Sequence, residues 1–112
     1  MDMIELLFEL SLDMVCVAGA DGRFLKVNGA WTACLGFTAQ ELTAVPWLEF
    51  VHPDDRSKTV AAAQRMASGG LIGFENRYRS KAGGYRYLSW RSSPWSAGRT
   101  LAVARDLGPA PT

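Results

Sequence analysis

Turn punctuation constrains this chain more than any other feature. Asp21-Gly22 separates two short apolar runs, Met14 to Gly19 and Arg23 to Val27, and an Asp-Gly pair between such runs is a strong two-residue hairpin signal. The last forty residues hold three further runs that alternate or are rich in β-formers: Leu71 to Ser80, Tyr85 to Trp95 with a break near Pro94, and Thr100 to Leu107. Turns at Lys81 to Gly84 and Ser96 to Gly98 separate them. Hairpins at both ends require an antiparallel sheet, and the chain between them reads as helix. The predicted class is α+β, a five-stranded antiparallel sheet with helices covering one face.

The central block is punctuated residue by residue. Asn28 stands at a helix N-cap position, Ala30 to Leu35 reads as a short helix, and Gly36 supplies the left-handed residue that ends it. Thr38 with Glu41 matches the capping box, so a second short helix follows at once. At His52-Pro53-Asp54-Asp55 a longer helix starts, with Pro53 at its first position and two acids complementing the positive end of its dipole. It runs to about Ser68, and Gly69-Gly70 ends it. Val60, Ala63, Gln64 and Ala67 recur at i, i+3, i+4 and i+7, a slim face expected to pack closely on the sheet.

A further helix opens the chain. Asp2, Glu5, Glu9 and Asp13 form one acidic stripe, while Met3, Ile4, Leu6, Leu7, Phe8 and Leu10 cover more of the circumference than one core-facing stripe needs. These side chains either lie in a groove of the domain or meet a partner helix. Met3, Ile4, Leu7 and Leu10 are the candidates for a homodimer interface.

The 112 residues suffice for one core, and 48% apolar with 21% charged residues excludes disordered and low-complexity classes. A formal charge of +1 lacks the basic excess of a dedicated nucleic-acid binder. The charge is unevenly placed: residues 1–70 carry nine acids and five bases, the remainder seven bases and two acids. Two cysteines, Cys16 and Cys34, read as reduced thiols in a reducing, cytoplasmic setting. The apolar run from Met14 to Ala20 is far shorter than the roughly 20 residues that cross a bilayer, and Asp2 and Glu5 sit where a signal peptide would be basic. The reading is a soluble, unprocessed chain without membrane contact.

Taken in order, Asp21-Gly22-Arg23-Phe24, Val27-Asn28-Gly29-Ala30-Trp31, Leu35-Gly36-Phe37-Thr38 with Glu41-Leu42, and Val51-His52-Pro53-Asp54-Asp55-Arg56 resemble a PAS domain. Phe74-Glu75-Asn76-Arg77-Tyr78-Arg79, Tyr87-Leu88-Ser89-Trp90 and Ala104-Arg105-Asp106-Leu107 are similar to the last three strands of bacterial sensory-box PAS modules. The resemblance spans residues 4 to 107. It implies a PAS fold over residues 13–107, with residues 1–12 a flanking helix and 108–112 a linker to a further domain. It also implies a non-catalytic sensor or dimerisation module, most often within a sensor histidine kinase, otherwise within a diguanylate cyclase or phosphodiesterase, or a transcription regulator. Signal output in the family leaves through the end of the last strand, here Asp106; Gly108 stands where the family commonly has Thr.

The family's pocket lies between the sheet and the helices, so strand parity proposes its lining: Cys16 with Ala18, Phe74 with Asn76, Leu88 with Trp90 and Ser92, and Ala102 with Ala104. Leu35, from the connector helix, joins them. The alanines leave room for a small ligand, Asn76 and Ser92 offer polar groups, and Trp90 either lines the space or fills it. The cofactor is unknown. A haem would need an axial histidine from the long helix, whereas the one histidine, His52, precedes Pro53. The flavin-photochemical signature Asn-Cys-Arg-Phe-Leu-Gln is absent, and Cys34 reads as a small buried hydrophobe; Trp31 and Trp90 are the candidates to flank a noncovalent flavin. With one histidine and no Gly-x-Ser-x-Gly, nucleophilic and zinc sites lack their parts, and no metal site is expected. Asp54 and Asp55 point about 100° apart on a helix, so their helix-start role is sufficient.

A single-stranded nucleic-acid surface is the rival reading, because Arg77, Arg79, Lys81, Arg86 and Arg91 interleave with Tyr78, Tyr85, Tyr87 and Trp90. Strand parity splits that set, sending Arg77, Arg79, Tyr85, Tyr87 and Arg91 outward but Arg86 and Trp90 inward. A solvated or partner-covered sheet face is simpler, and no nucleic-acid partner is expected.

Overall fold

A computed structural model describes residues 1–69 and 72–111. The elements run α1 (Met3–Leu10), β1 (Met14–Ala18), β2 (Phe24–Val27), α2 (Gly29–Leu35), α3 (Ala39–Ala44), 3-10 turns at Trp47–Phe50 and Pro53–Asp55, α4 (Arg56–Ala67), β3 (Ile72–Arg79), β4 (Tyr85–Pro94), a 3-10 turn at Ser96–Gly98, and β5 (Thr100–Ala110). The strands form one antiparallel sheet in the order β2-β1-β5-β4-β3, with the two terminal hairpins meeting where β1 pairs with β5. The expected α+β architecture and five strands are therefore present. Gly70, expected to end the long helix, and Leu71, expected to open the third strand, lie outside the described residues.

The local signals act as their chemistry predicts. Gly22 takes φ +83° in the β1–β2 turn, which is a three-residue loop closed by the Gly19 N–H on the Arg23 carbonyl rather than the expected two-residue one, and Asp21 accepts the Arg23 N–H at 3.1 Å. Gly36 ends α2 in the left-handed conformation, and the Thr38/Glu41 capping box closes on itself to start α3. The core sits between the inner sheet face and the helices around Trp31, which is fully buried. Its ring lies 4.8 Å from Phe24, 5.8 Å from Trp90 and 5.9 Å from Tyr78, centroid to centroid, and its indole donates to the Val15 carbonyl.

Four expectations need correction. Asn28 occupies the N-cap position of α2 but caps nothing; it is buried and ties α1 to β1 instead. Its Oδ1 accepts the Val15 N–H at 3.0 Å, and its Nδ2 donates to the Phe8 and Asp13 carbonyls at 2.9 and 3.0 Å. Asp55 is likewise more than a helix-start acid, because a 3-10 turn precedes α4 and the Asp55 carboxylate turns away to Arg77 on β3. The sheet-facing side of α4 is Thr59, Ala62 and Met66, with Ala63 half-buried, while Val60, Gln64 and Ala67 are exposed. One residue of rotation, 100°, separates the expected face from the observed one. Finally, β5 continues through residues 108–110, expected as linker, pairing Gly108, Pro109 and Ala110 with Tyr87, Arg86 and Tyr85.

The first helix is scarcely packed on the rest of the chain. No residue of α1 is buried, and Ile4 is 75% and Leu7 62% exposed, so its apolar side chains do not lie in a groove of this chain. What holds it is the Asn28 tether and the Lys26 ammonium 5.0 Å from the Phe8 ring centroid.

Candidate ligand cavity and output strand

Between α4 and the inner sheet face lies a cavity of about 260 Å³. Of the ten candidates from strand parity and the connector helix, Cys16, Ala18, Phe74, Asn76, Trp90, Ser92 and Ala102 line it. Leu35, Leu88 and Ala104 do not: they are buried in the adjoining core, where the parity is right but the large rings of Trp31 and Trp90 lie close by. The helix-side wall, missed by a parity argument that considers only strands, is Thr59, Ala62, Ala63, Met66 and Ala67, with Trp47 at the rim.

The polar groups of the lining are organised before any ligand arrives. Trp90 Nε1 donates to Asn76 Oδ1 at 2.7 Å, Asn76 Nδ2 donates to Thr59 Oγ1 at 3.1 Å, and Thr59 Oγ1 donates to the Asp55 carbonyl at 2.7 Å. This chain links β4, β3 and α4 across the sheet. Phe74 stacks beside Trp90 with ring planes 13° apart. Trp90 therefore lines the cavity rather than filling it, but Trp31 does not join it there. The two indoles touch directly at 5.8 Å, which leaves no space for a flavin ring between them. His52 lies outside the cavity lining, its Nδ1 accepting the Asp54 N–H and its ring 4.5 Å from Tyr85. Among the described residues no three His, Cys, Asp or Glu side chains converge as metal ligands would.

The floor of the cavity is braced by an ion pair at the α4 entrance. Arg77 donates to Asp55 through Nε at 2.9 Å, Nη2 at 2.8 Å and its backbone N–H at 2.8 Å. These hydrogen bonds, led by the guanidinium, outweigh burial and hold the Asp55 carboxyl down to about 2. Most basic residues along the last three strands and their turns are engaged, whereas Arg91, expected on the outer face, is exposed. Arg77 is held by Asp55, Arg79 sits over Phe37 and Phe50, Lys81 pairs with Glu41, and Arg105 pairs with Asp13 at 3.3 Å. That removes the row of free cations a stacking nucleic-acid surface would use.

At the far end of β5, Arg86 donates to Asp106 through Nε at 2.9 and 3.0 Å and pairs through Nη2 at 2.8 Å. Burial pushes the Asp106 carboxyl up, but Arg86 and the Gly108 N–H together hold it below its ordinary value. Beside this pair the Cys34 thiol, at the end of α2, is pushed up to about 11 by burial and then by Asp106, so it stays a protonated, half-buried group. Gly108 sits at an irregularity of the ladder. The β4–β5 register shifts between Tyr87 and Leu88, Leu107 has no partner across the ladder, and Gly108 takes φ +113°, a conformation a β-branched residue adopts only under strain.

The geometry can be set beside known proteins. The PAS domain of an HTR-like protein from Haloarcula marismortui superposes with a TM-score of 0.80 at 28% identity, covering 93% of this chain and 88% of that one. A domain of the sensory box sensor histidine kinase/response regulator from Geobacter sulfurreducens gives 0.82 at 25% identity, over 92% and 90% of the two chains. The human Period circadian protein homolog 3 is 33% identical over 90 residues, 73% of this chain but only 8% of that protein's length. No helix among the described residues is long and apolar enough to cross a membrane. The family model described as PAS fold matches residues 24–103, from β2 into the first residues of β5, and the chain belongs to that family.

Proposed function

We propose that this chain is the sensory and relay module of a larger cytoplasmic signalling protein, a sensor histidine kinase, and that it works by binding a small molecule rather than by chemistry of its own. The observation that carries the reading is the path of β5. Thr100 and Ala102 line the cavity at one end of this strand, and Asp106 holds the Arg86 pair at the other. A ligand that prefers one packing of α4 against the sheet changes the setting of β5, and the change leaves through Asp106. The ligand acts only through its differential affinity for the two packings. The similarity to a sensory box kinase domain supports the choice of parent; a cyclic-dinucleotide enzyme or a transcription regulator would use the same module with a different output. Native mass spectrometry with an absorption spectrum of freshly purified protein tests the ligand part. Extra non-protein mass displaced by mutations at the cavity supports it, and a clean apo mass that no small-molecule library shifts refutes it.

The exposed apolar face of α1 favours homodimerisation as the second half of the relay. Its exposed side chains are unpartnered in one copy, and Asp2, Glu5 and Glu9 of the acidic stripe face outward, where a second copy carries Arg91 exposed on its sheet. Leu7→Asp is expected to convert a dimer to a monomer in light scattering without lowering the melting temperature, since Leu7 contributes nothing to the monomer core. An unchanged dimer mass would exclude this interface.

A further inference from the structure

We infer that the cavity takes a neutral, largely planar molecule of one or two rings carrying a single hydrogen-bond acceptor, received by the hydroxyl of Tyr78. This rests on the ligand-sensing reading above and specifies its chemistry.

Charge is excluded by the lining. None of the described residues around the cavity is Asp, Glu, Lys, Arg or His. A carboxylate, phosphate or ammonium placed there would be desolvated with no counter-charge, a cost that binding would have to overcome. Size is bounded by comparison: an apolar cavity of about 150 Å³ accepts one benzene ring, and this one is about 260 Å³. Shape follows from the walls. On the sheet side the Phe74 and Trp90 rings lie with their planes 13° apart, while Ala62 and Ala63 line the cavity from α4 with side chains no larger than a methyl group. That is a slot for a flat apolar body.

The single acceptor follows from an accounting of polar groups. The Trp90, Asn76 and Thr59 chain already joins its own donors and acceptors, and the Thr100 hydroxyl turns toward the Met66 sulfur at 3.9 Å. Tyr78 is different. Its side chain is 2% exposed and lines the cavity, yet its hydroxyl enters no hydrogen bond among the described residues. No fully enclosed side-chain nitrogen or oxygen among them lacks a partner, so this oxygen is not fully enclosed, and the cavity is the open volume that Tyr78 lines. Burial, with Cys16 nearby adding to it, pushes the phenol well above its ordinary value, so at neutral pH it presents an O–H rather than an anion. A carbonyl oxygen or a ring nitrogen would complete it.

Three bicyclic probes of matched size test the inference by titration into ¹⁵N-labelled protein at pH 7.5, following the Trp90 indole N–H and the Ala62 and Ala102 amides. Quinoline supplies a ring acceptor, naphthalene none, and quinoline-3-carboxylate adds a charge. Quinoline is expected to bind about fivefold more tightly than naphthalene, the worth of one net hydrogen bond. The carboxylate is expected to bind at least about a hundredfold more weakly than quinoline. Tyr78→Phe keeps the ring and its packing, and is expected to abolish the advantage of quinoline while leaving naphthalene unchanged. Binding of the carboxylate as tight as that of quinoline, or an advantage of quinoline that survives in Tyr78→Phe, would overturn the inference and leave the ligand-sensing reading standing. Failure of all three probes to move the cavity signals, with a clean apo mass, would overturn both.

Discussion

Replacing Asp55 by Asn tests the brace between α4 and β3. The Asp55 carboxylate receives three hydrogen bonds from Arg77 at 2.8 to 2.9 Å, and Lys58 approaches to 3.7 Å. An Asn amide can still accept at one atom, but its NH₂ then faces a guanidinium donor, and the charge that pairs with Arg77 is gone. The depression of the carboxyl from 3.8 to about 2 corresponds to roughly 2 kcal/mol of stability at neutral pH, less whatever solvent at the rim screens. Adding the misplaced donor brings the expected loss to about 2–3 kcal/mol. With a urea slope of about 1.5 kcal/mol/M, the unfolding midpoint should fall by roughly 1.3–2 M. The pH dependence has a definite sign. Because the folded-state pKa is depressed, the contribution of Asp55 is complete above about pH 4 and is lost as the pH falls toward 2. The stability gap between wild type and Asp55→Asn, from urea melts followed by circular dichroism, should therefore be wide at pH 7 and narrow steadily between pH 4 and pH 2. A gap below about 0.5 kcal/mol at pH 7, or one of constant size down to pH 2, would refute the reasoning.

Two further outcomes are expected. At Asn28 the pair of substitutions Asn28→Ala and Asn28→Asp separates a tether from a helix cap: Asp caps as well as Asn, but as a tether its carboxylate would face the Phe8 and Asp13 carbonyls. Both variants should lose about 2–3 kcal/mol and the hydrogen-exchange protection of α1, with Asp no better than Ala; near-wild-type behaviour of Asn28→Asp would restore the capping role. For the thiols, Cys16 is buried with its thiol pushed far up, and Cys34 is pushed up to about 11. Iodoacetamide at pH 7.5 should therefore leave both unmodified over minutes in native protein and label both in urea, as read by mass spectrometry. Rapid labelling of native Cys34 would contradict its placement beside Asp106.

Much of this architecture is written in short-range chemistry. The Asp21-Gly22 turn, the Gly36 helix end, the Thr38/Glu41 capping box and the alternation along the last three strands each act within a few residues, and each is found where the pattern puts it. The same period of two identified seven of the lining side chains, because a strand's faces alternate whatever lies beyond them. The stretch of α1 that lacks an intramolecular partner was likewise visible as an excess of apolar positions.

What pattern alone left undecided are features settled by contacts between residues far apart in the chain. The rotation of α4 is one: the faces through Val60 and through Thr59 are both rich in small residues, and the choice falls to Thr59 because Asp55 is anchored to Arg77, 22 residues on, and Asn76 reaches Thr59. Asn28 and Asp55 sit at helix starts and carry cap chemistry, yet each is drawn off by a stronger set of long-range hydrogen bonds in a buried setting. The lining lost Leu35, Leu88 and Ala104 because parity assigns a face but not a depth, and only the packed rings of Trp31 and Trp90 determine where the core stops and the cavity begins. The Tyr78 hydroxyl, without a hydrogen bond among the described residues, emerges last, since a missing hydrogen bond is a property of everything packed around an atom and of nothing adjacent to it in the sequence.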